Sequence, residues 1–172
     1  MNTAAGSPQN DSQHATQRPI DRWFAHYSAD HRNQTNQRIH VICVPAILWS
    51  VIALLWCIPT PASWMSTGFW AGLAMLATVL FYYRASRMLG LGMLAMYVLM
   101  GLLTKWIHDS YSTSTLLWLA IGVFVVAWIG QFIGHSARYE NKRPSFLTDL
   151  TYLLIGPAWV LSKLYRKVGL RY

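Results

Sequence analysis

The residues of this chain that could do chemistry fall into two clusters. The first covers residues 27–45 and contains His31 and His40, and the second covers residues 131–144 and contains His135 with Glu140 nearby. Neutral imidazole is a ligand for iron, zinc, copper or nickel, so three histidines near a carboxylate can hold a divalent transition metal. Positions left open on such a metal would accept a substrate or oxygen. The same histidines could instead be solvated interfacial residues that bind nothing, and residue type alone leaves both interpretations open.

The composition places these clusters in a membrane protein. Of the 172 residues, 54% are hydrophobic and only 12% are charged, whereas a soluble domain has about 25% charged residues. The net charge is +8, but the basic residues flank apolar stretches and form no patch. This pattern is typical of membrane-flanking charge and argues against nucleic acid as a partner.

Four apolar stretches predict transmembrane helices, at residues 41–58, 68–83, 88–103 and 116–133. A stretch of eighteen residues spans about 27 Å as a helix, close to the thickness of a hydrocarbon core. A fifth stretch, residues 150–161, contains Gly156-Pro157 and is too short to cross, so we expect an interfacial or re-entrant segment. The predicted fold is an all-α polytopic membrane helical bundle.

The basic residues predict the orientation of the bundle. Four spans put both termini and the loop between the second and third spans on one side, with thirteen of the fourteen Lys and Arg residues. Lys105 alone lies on the other side. By the positive-inside rule, the termini and both histidine clusters are cytoplasmic, in a bacterial inner membrane or the endoplasmic reticulum. His108 lies beyond the third span and therefore cannot join the clusters.

The N-terminal part divides into a tail and a helix. Residues 1–17 are polar and lack the apolar region of a signal peptide, so we predict a disordered tail followed by a single membrane-embedded domain over residues 18–172. Ile20, Trp23, Phe24 and Tyr27 then recur at helical spacing. They predict an amphipathic helix on the cytoplasmic membrane surface, and His31 falls on the same membrane-facing stripe. His14 in the tail and His26 off the stripe are left out of the site.

Helical spacing also indicates how the histidines could meet. Asn36 and His40 are four residues apart and share a helix face, as do Gln131 and His135. His31 and His40 are nine apart, which places them on opposite sides of one straight helix. They converge only if the chain bends between them, and residues 33–35 (Asn-Gln-Thr) could provide that bend as the N-cap of a new helix.

Other chemistries fit poorly. The chain has no G-x-S-x-G motif and none of the closely spaced histidine boxes of desaturases. Cys43 lies three residues from His40 in an apolar setting, which disfavours a reactive thiolate, and it is too far from Cys57 on one helix for a disulfide. A transporter is disfavoured because the four spans contain no Asp, Glu, Lys, Arg or His.

At the two clusters the chain resembles the Mpo1-like family, formerly a domain of unknown function. The resemblance extends from Trp23 to Gly169 and includes the number of spans and the Gly156-Pro157 segment. At Cys43 the family most often has glycine, which affects local helix packing more than a metal site. Ten positions in two blocks carry the match: Tyr27, His31, Asn36, His40 and Pro45, and Gln131, Gly134, His135, Glu140 and Pro144.

The resemblance implies an Fe(II)-dependent dioxygenase. A 2-hydroxy fatty acid would react with O2 and lose its carboxyl carbon, giving a fatty acid one carbon shorter. The family implies that iron is bound by His31, His40 and His135. Glu140 and Asn36 would be catalytic residues, Glu140 as a fourth ligand or as the acceptor that orients a histidine. Substrate contacts would come from Tyr27, Gln131, Arg38 and Arg138, with one of the two arginines pairing with the carboxylate.

A second interpretation assigns the chain to a different class of protein. The chain could be a non-catalytic membrane protein, a lipid-binding protein or scaffold in which the histidines only bridge helices. Metal content separates the two, since only the dioxygenase requires iron. A homo-oligomer is compatible with either interpretation.

Overall fold

The chain forms a bundle of helices. The computed structural model describes residues 18–136 and 151–172, and these residues contain α-helices and no strand. The all-α prediction is therefore confirmed for them. The predicted tail, and Arg138, Glu140 and Pro144 of the second cluster, lie outside the described residues. The helices are α1 (Pro19–Asp30), α2 (Gln34–Trp56), α3 (Phe69–Ala85), α4 (Arg87–Ser110), α5 (Thr113–Gly134) and α6 (Thr151–Lys167).

Three of these helices are long and apolar enough to cross a membrane. They are α2 with 23 residues, α4 with 24 and α5 with 22. Helix α3 is equally apolar in character but has 17 residues, about 25 Å of helix. Several helices extend beyond the predicted apolar stretches by including flanking polar residues: α2 begins seven residues before residue 41, although it ends at Trp56.

Side-chain caps explain where the helices begin. Asn33 Oδ1 accepts hydrogen bonds from the backbone N–H groups of Thr35, at 2.8 Å, and Asn36, at 3.2 Å. The predicted helix start at residues 33–35 is therefore confirmed, and it separates α1 from α2. Ser86 caps α4 directly after α3 ends at Ala85. Because one residue connects them, α3 and α4 form an antiparallel pair.

The most extensive helix pair is α2 with α5. Two glycines of α5 permit it: a Cβ atom on Gly130 would lie 2.7 Å from Cys43 Sγ, and one on Gly134 would overlap Asn36 Oδ1. The backbone of α5 thus approaches α2 closely where both helices carry site residues, as small residues allow in membrane bundles.

The apolar stripe of α1 packs on protein instead of on the membrane surface. Ile20, Phe24 and Tyr27 are buried in one core with Trp159 of α6, and the Trp23 ring stacks on Phe81 of α3 with centroids 5.9 Å apart. The expectation that this stripe faces the membrane is wrong for these side chains. An apolar stripe requires an apolar partner, and the sequence does not specify whether that partner is lipid or another helix.

Helix α6 is longer than the apolar stretch that predicted it. It continues through Gly156-Pro157 to Lys167, 17 residues in total. Seven residues of its middle are buried, and the helix contacts α1, α2 and α4. Its buried face closes one side of the bundle at the end where the histidines lie.

Candidate metal centre

Three histidines from three parts of the chain meet at one point. His31 follows α1, His40 lies in α2, and His135 caps the C-terminus of α5. The Nε2 atom of His40 lies 3.1 Å from that of His31 and 3.3 Å from that of His135. The three side chains are buried, with exposed fractions of 1%, 2% and 7% for His31, His40 and His135.

Backbone carbonyls determine which ring nitrogens face the centre. His31 Nδ1 lies 2.6 Å from the Tyr27 carbonyl oxygen, and His40 Nδ1 lies 3.0 Å from that of Asn36. A carbonyl oxygen only accepts hydrogen bonds, so each Nδ1 carries the proton of its neutral ring. Each Nε2 then presents a lone pair toward the other, with no proton between them.

This donor set fits a metal ion. Two facing lone pairs repel unless a cation lies between them. Nitrogens that bind one ion at about 2.0–2.1 Å lie roughly 3.0–3.4 Å apart, which matches the observed separations of 3.1 and 3.3 Å. Neutral imidazoles with Nδ1–H donated to a carbonyl are the usual form of metal-ligating histidine. The residues present can therefore hold a divalent transition metal.

Aromatic side chains pack around the histidines on the α1 and α6 side. The Tyr27 ring stacks on His31 with centroids 4.2 Å apart and planes 10° apart. The Trp159 ring lies 4.9 Å from Tyr27 and 5.7 Å from His31. These rings hold the His31 imidazole in place and exclude water from it.

An elongated cavity of about 420 Å³ begins at the histidines. Along α2 its lining extends from His40 to Leu55, fifteen residues or about 22 Å of helix. Gln131, at 4% exposed, lies at the histidine end, and its Nε2 has no hydrogen-bond partner within the described ranges. The rest is mainly apolar, with lining residues that include Val44, Ile47, Leu48, Val51, Ile52, Met75, Phe124, Leu153 and Leu154.

The structure brings most of the predicted site residues to this cavity. Tyr27 and Gln131 line it beside the histidines. The fully buried Asn36 lies one helical turn before His40 and contacts it through the backbone carbonyl. Arg38 is exposed and is absent from the cavity lining. Arg138 and Glu140 lie outside the described residues, so their predicted roles stay predictions.

The excluded histidines lie elsewhere. His108 is near the end of α4, where its ring nitrogens lie 3.1 Å from both Asp109 Oδ1 and Thr113 Oγ1. His26 is exposed on α1. Neither is part of the three-histidine group, which agrees with the prediction from the sequence that they lie outside the site.

Two residues of α6 that lie beside the site, Trp159 and Lys163, were not predicted from the sequence. Lys163 Nζ lies 3.9 Å from the Trp159 ring centroid and donates to Gln37 Oε1 at 2.6 Å. Burial, and to a smaller extent the nearby Arg166, lowers the pKa of Lys163. The sequence offered one signal of this contact: a lysine lies four residues after a tryptophan, where the apolar stretch of α6 ends.

Comparison with known proteins identifies the family. The family described as 2-hydroxy-palmitic acid dioxygenase Mpo1-like matches residues 17–168. The chain belongs to the Mpo1-like family. This membership confirms the resemblance found at the two histidine clusters. A curated relative, the 2-hydroxy-palmitic acid dioxygenase MPO1 of Saccharomyces cerevisiae, is 26% identical over 146 residues, which cover 83% of this chain and 78% of the relative. No solved structure gives a significant match.

The geometry of this Mpo1-like protein combines two capacities. A buried group of three imidazoles can bind a metal, and an adjoining apolar cavity can bind a hydrocarbon chain. Because the histidines and Gln131 lie at one end of a mainly apolar cavity, the site suits an amphiphile whose head lies at the metal and whose tail lies among the helices.

Proposed function

We propose that this Mpo1-like protein is an Fe(II)-dependent dioxygenase that converts 2-hydroxy fatty acids into fatty acids one carbon shorter. The observation that carries the proposal is the convergence of three imidazole Nε2 atoms at the polar end of an apolar cavity. The yeast relative is a 2-hydroxy-palmitic acid dioxygenase, which supports the substrate class.

The overall reaction balances with O2 as the only co-substrate. The bond between the carboxyl carbon and the hydroxyl-bearing carbon breaks, and the carboxyl carbon leaves as carbon dioxide. The hydroxyl-bearing carbon becomes the new carboxyl group. The two carbons together lose four electrons, and O2 accepts them. One O2 thus yields the shortened acid, one carbon dioxide and one water.

The histidines would hold the iron, and bound iron would supply the redox chemistry that O2 requires. His31 and His40 are prepared for this role because their Nδ1 protons are held by backbone carbonyls. Asn36 would act through its carbonyl, which orients the His40 ring. Glu140 is proposed as a further ligand or as the acceptor that orients a histidine.

The cavity would orient the substrate. The buried Gln131 amide has an N–H available at the polar end, and we assign it to the carboxylate or hydroxyl of the acid. Tyr27 would contact the head from the α1 side. The hydrocarbon tail would lie against Leu48, Ile52 and Leu55 of α2. Of the two predicted arginines, Arg138 stays proposed as the carboxylate partner, whereas Arg38 is exposed and does not line the cavity formed by the described residues.

The same proposal includes a membrane topology. Helix α3 would be the fourth span, since it is apolar and antiparallel to α4. The metal centre and both termini would then be cytoplasmic, and in this topology thirteen of the fourteen basic residues would lie on the same side. Exposed aromatic residues toward the opposite ends of the helices, Trp64, Trp106 and Trp118, fit an interfacial aromatic belt. Fatty acid dissolved in the bilayer could then reach the cavity without leaving the membrane.

Turnover by the purified protein tests the proposal. Full-length protein in nanodiscs is loaded with Fe(II) without oxygen, given 2-hydroxyhexadecanoic acid and then exposed to O2. Mass spectrometry should detect pentadecanoic acid, and His40→Ala should abolish it. His108→Ala is the matched control and should retain full activity, because His108 lies away from the centre. An iron-loaded protein that produces no pentadecanoic acid would contradict the proposal and favour the non-catalytic lipid-binding alternative.

A further inference from the structure

Of the three histidines, His31 has the least support from regular structure. It caps the C-terminus of α1 with φ −126° and ψ 66°, and only Arg32 and Asn33 separate it from α2. His40 lies within a continuous helix, and His135 directly ends one. Something besides a helix backbone must therefore fix His31 relative to the other two.

A chain of polar contacts from α6 reaches the backbone of His31. Gln37 Nε2 donates to the His31 carbonyl oxygen at 2.6 Å, and Lys163 Nζ donates to Gln37 Oε1 at 2.6 Å. The Gln37 amide has one carbonyl oxygen and one amino group, so the bond from Lys163 fixes which of them faces His31. An ammonium donor also makes this bond stronger than one between neutral groups.

The ammonium group is placed for this contact and for Trp159. Lys163 is half-buried and, within residues 18–136 and 151–172, forms no ion pair with a carboxylate. Its Nζ lies 3.9 Å from the Trp159 ring centroid, a cation–π distance. Trp159 Nε1 in turn donates to Ser28 Oγ at 2.9 Å. Through Gln37 and Trp159, the lysine therefore connects α6 with α2 and with α1, the helices on either side of His31.

We infer that Lys163 is a positioning residue for the metal centre: acting through Gln37 and Trp159, it holds His31 at the separation from His40 that metal binding requires. The inference rests on the proposed function, since it concerns the same three-histidine centre. A residue that only packed α6 against the bundle would not need a charge at this half-buried position.

Metal affinity in the absence of substrate tests the inference. Purified full-length protein is titrated with Co(II), whose visible absorption reports imidazole coordination, and apo-protein thermal unfolding is measured in parallel. Lys163→Met should weaken Co(II) binding by about 10- to 100-fold, the usual effect of losing a group that orients a ligand. Lys163→Arg, which keeps a cation able to donate to Gln37 and to stack on Trp159, should restore most of the affinity.

Matched variants separate positioning from general stability. Lys167→Met makes the same substitution on the same helix at an exposed site and should bind Co(II) as the wild type does. Gln37→Leu should reproduce the defect from the α2 side, which keeps the inference testable if Lys163→Met does not fold. Wild-type affinity in Lys163→Met, or no recovery in Lys163→Arg, overturns the inference alone. A wild-type protein that binds no metal overturns the proposed function and the inference with it.

Discussion

Replacing Gly134 by alanine should damage both the helix packing and the metal centre. Gly134 is the last residue of α5, directly before His135. A Cβ atom there would overlap Asn36 Oδ1 and lie 3.2 Å from Asn36 Cγ and 3.6 Å from Ile39 Cδ1. Asn36 is fully buried and its carbonyl orients His40, so it cannot move aside freely. Helix α5 must therefore shift away from α2, and His135 with it.

The size of the effect follows from two opposing contributions. Forcing an extra methyl group into packed helices costs about 1–3 kcal/mol. Alanine in place of glycine within a helix recovers about 0.5–1 kcal/mol, and less at a helix end. We expect Gly134→Ala to lower the free energy of unfolding by about 1–2 kcal/mol and to weaken metal binding, because the 3.3 Å separation of His40 and His135 would increase.

The assay compares this variant with Gly122→Ala on the same helix. Among the described residues, a Cβ atom on Gly122 would meet nothing within 4 Å, so this control should be as stable as the wild type or slightly more stable. Thermal unfolding in detergent and Co(II) titration are measured on both proteins. The same stability and the same metal affinity in the two variants would contradict this prediction, because only Gly134 of the two glycines lies against α2.

Further predictions concern the metal, the substrate head and the tail. His40→Ala should leave the protein without stoichiometric metal, measured by elemental analysis, whereas retained metal would exclude His40 as a ligand. Gln131→Leu should raise KM for the 2-hydroxy acid by about tenfold with metal content unchanged, since one hydrogen bond to a charged group is lost; an unchanged KM would remove Gln131 from substrate binding. Ala74→Phe fills part of the cavity wall and should shift the preferred substrate to shorter chains, with each excluded methylene costing about 0.8 kcal/mol of binding; an unaltered chain-length profile would place the tail elsewhere. Metal affinity should fall as the pH is lowered, because protons compete with the metal for the imidazole nitrogens; a pH-independent affinity in Co(II) titrations would argue against histidine ligation.

Much of the fold could be predicted from the sequence because membrane helices obey simple constraints. Apolar length identified α2 to α5, and the start of α2 at Gln34 followed from the capping residue Asn33. Counting the predicted spans put His108, which follows the third, on the opposite side of the membrane from the clusters. The structure places it apart from them. The i, i+4 spacing of Asn36 and His40 predicted a shared face, and the two residues lie in contact.

The remainder depended on which surfaces pack together, and periodicity does not contain that information. The α1 stripe from Ile20 to Tyr27 faces α6 because that helix offers an equally apolar face with Trp159. The same packing creates the contact of Lys163 with Gln37, residues separated by 126 positions in sequence. The cavity likewise requires six helices at defined separations, which no pattern within one helix specifies.

Locating the metal itself would show whether the three histidines form an iron site. Full-length protein loaded with Fe(II) can be studied by iron K-edge X-ray absorption, with His108→Ala and His135→Ala as a matched pair. We expect one iron per chain bound by three imidazole nitrogens, with the signal unchanged in His108→Ala and lost or altered in His135→Ala. A protein that binds no iron, or iron whose imidazole coordination is unaffected by His135→Ala, would contradict this expectation.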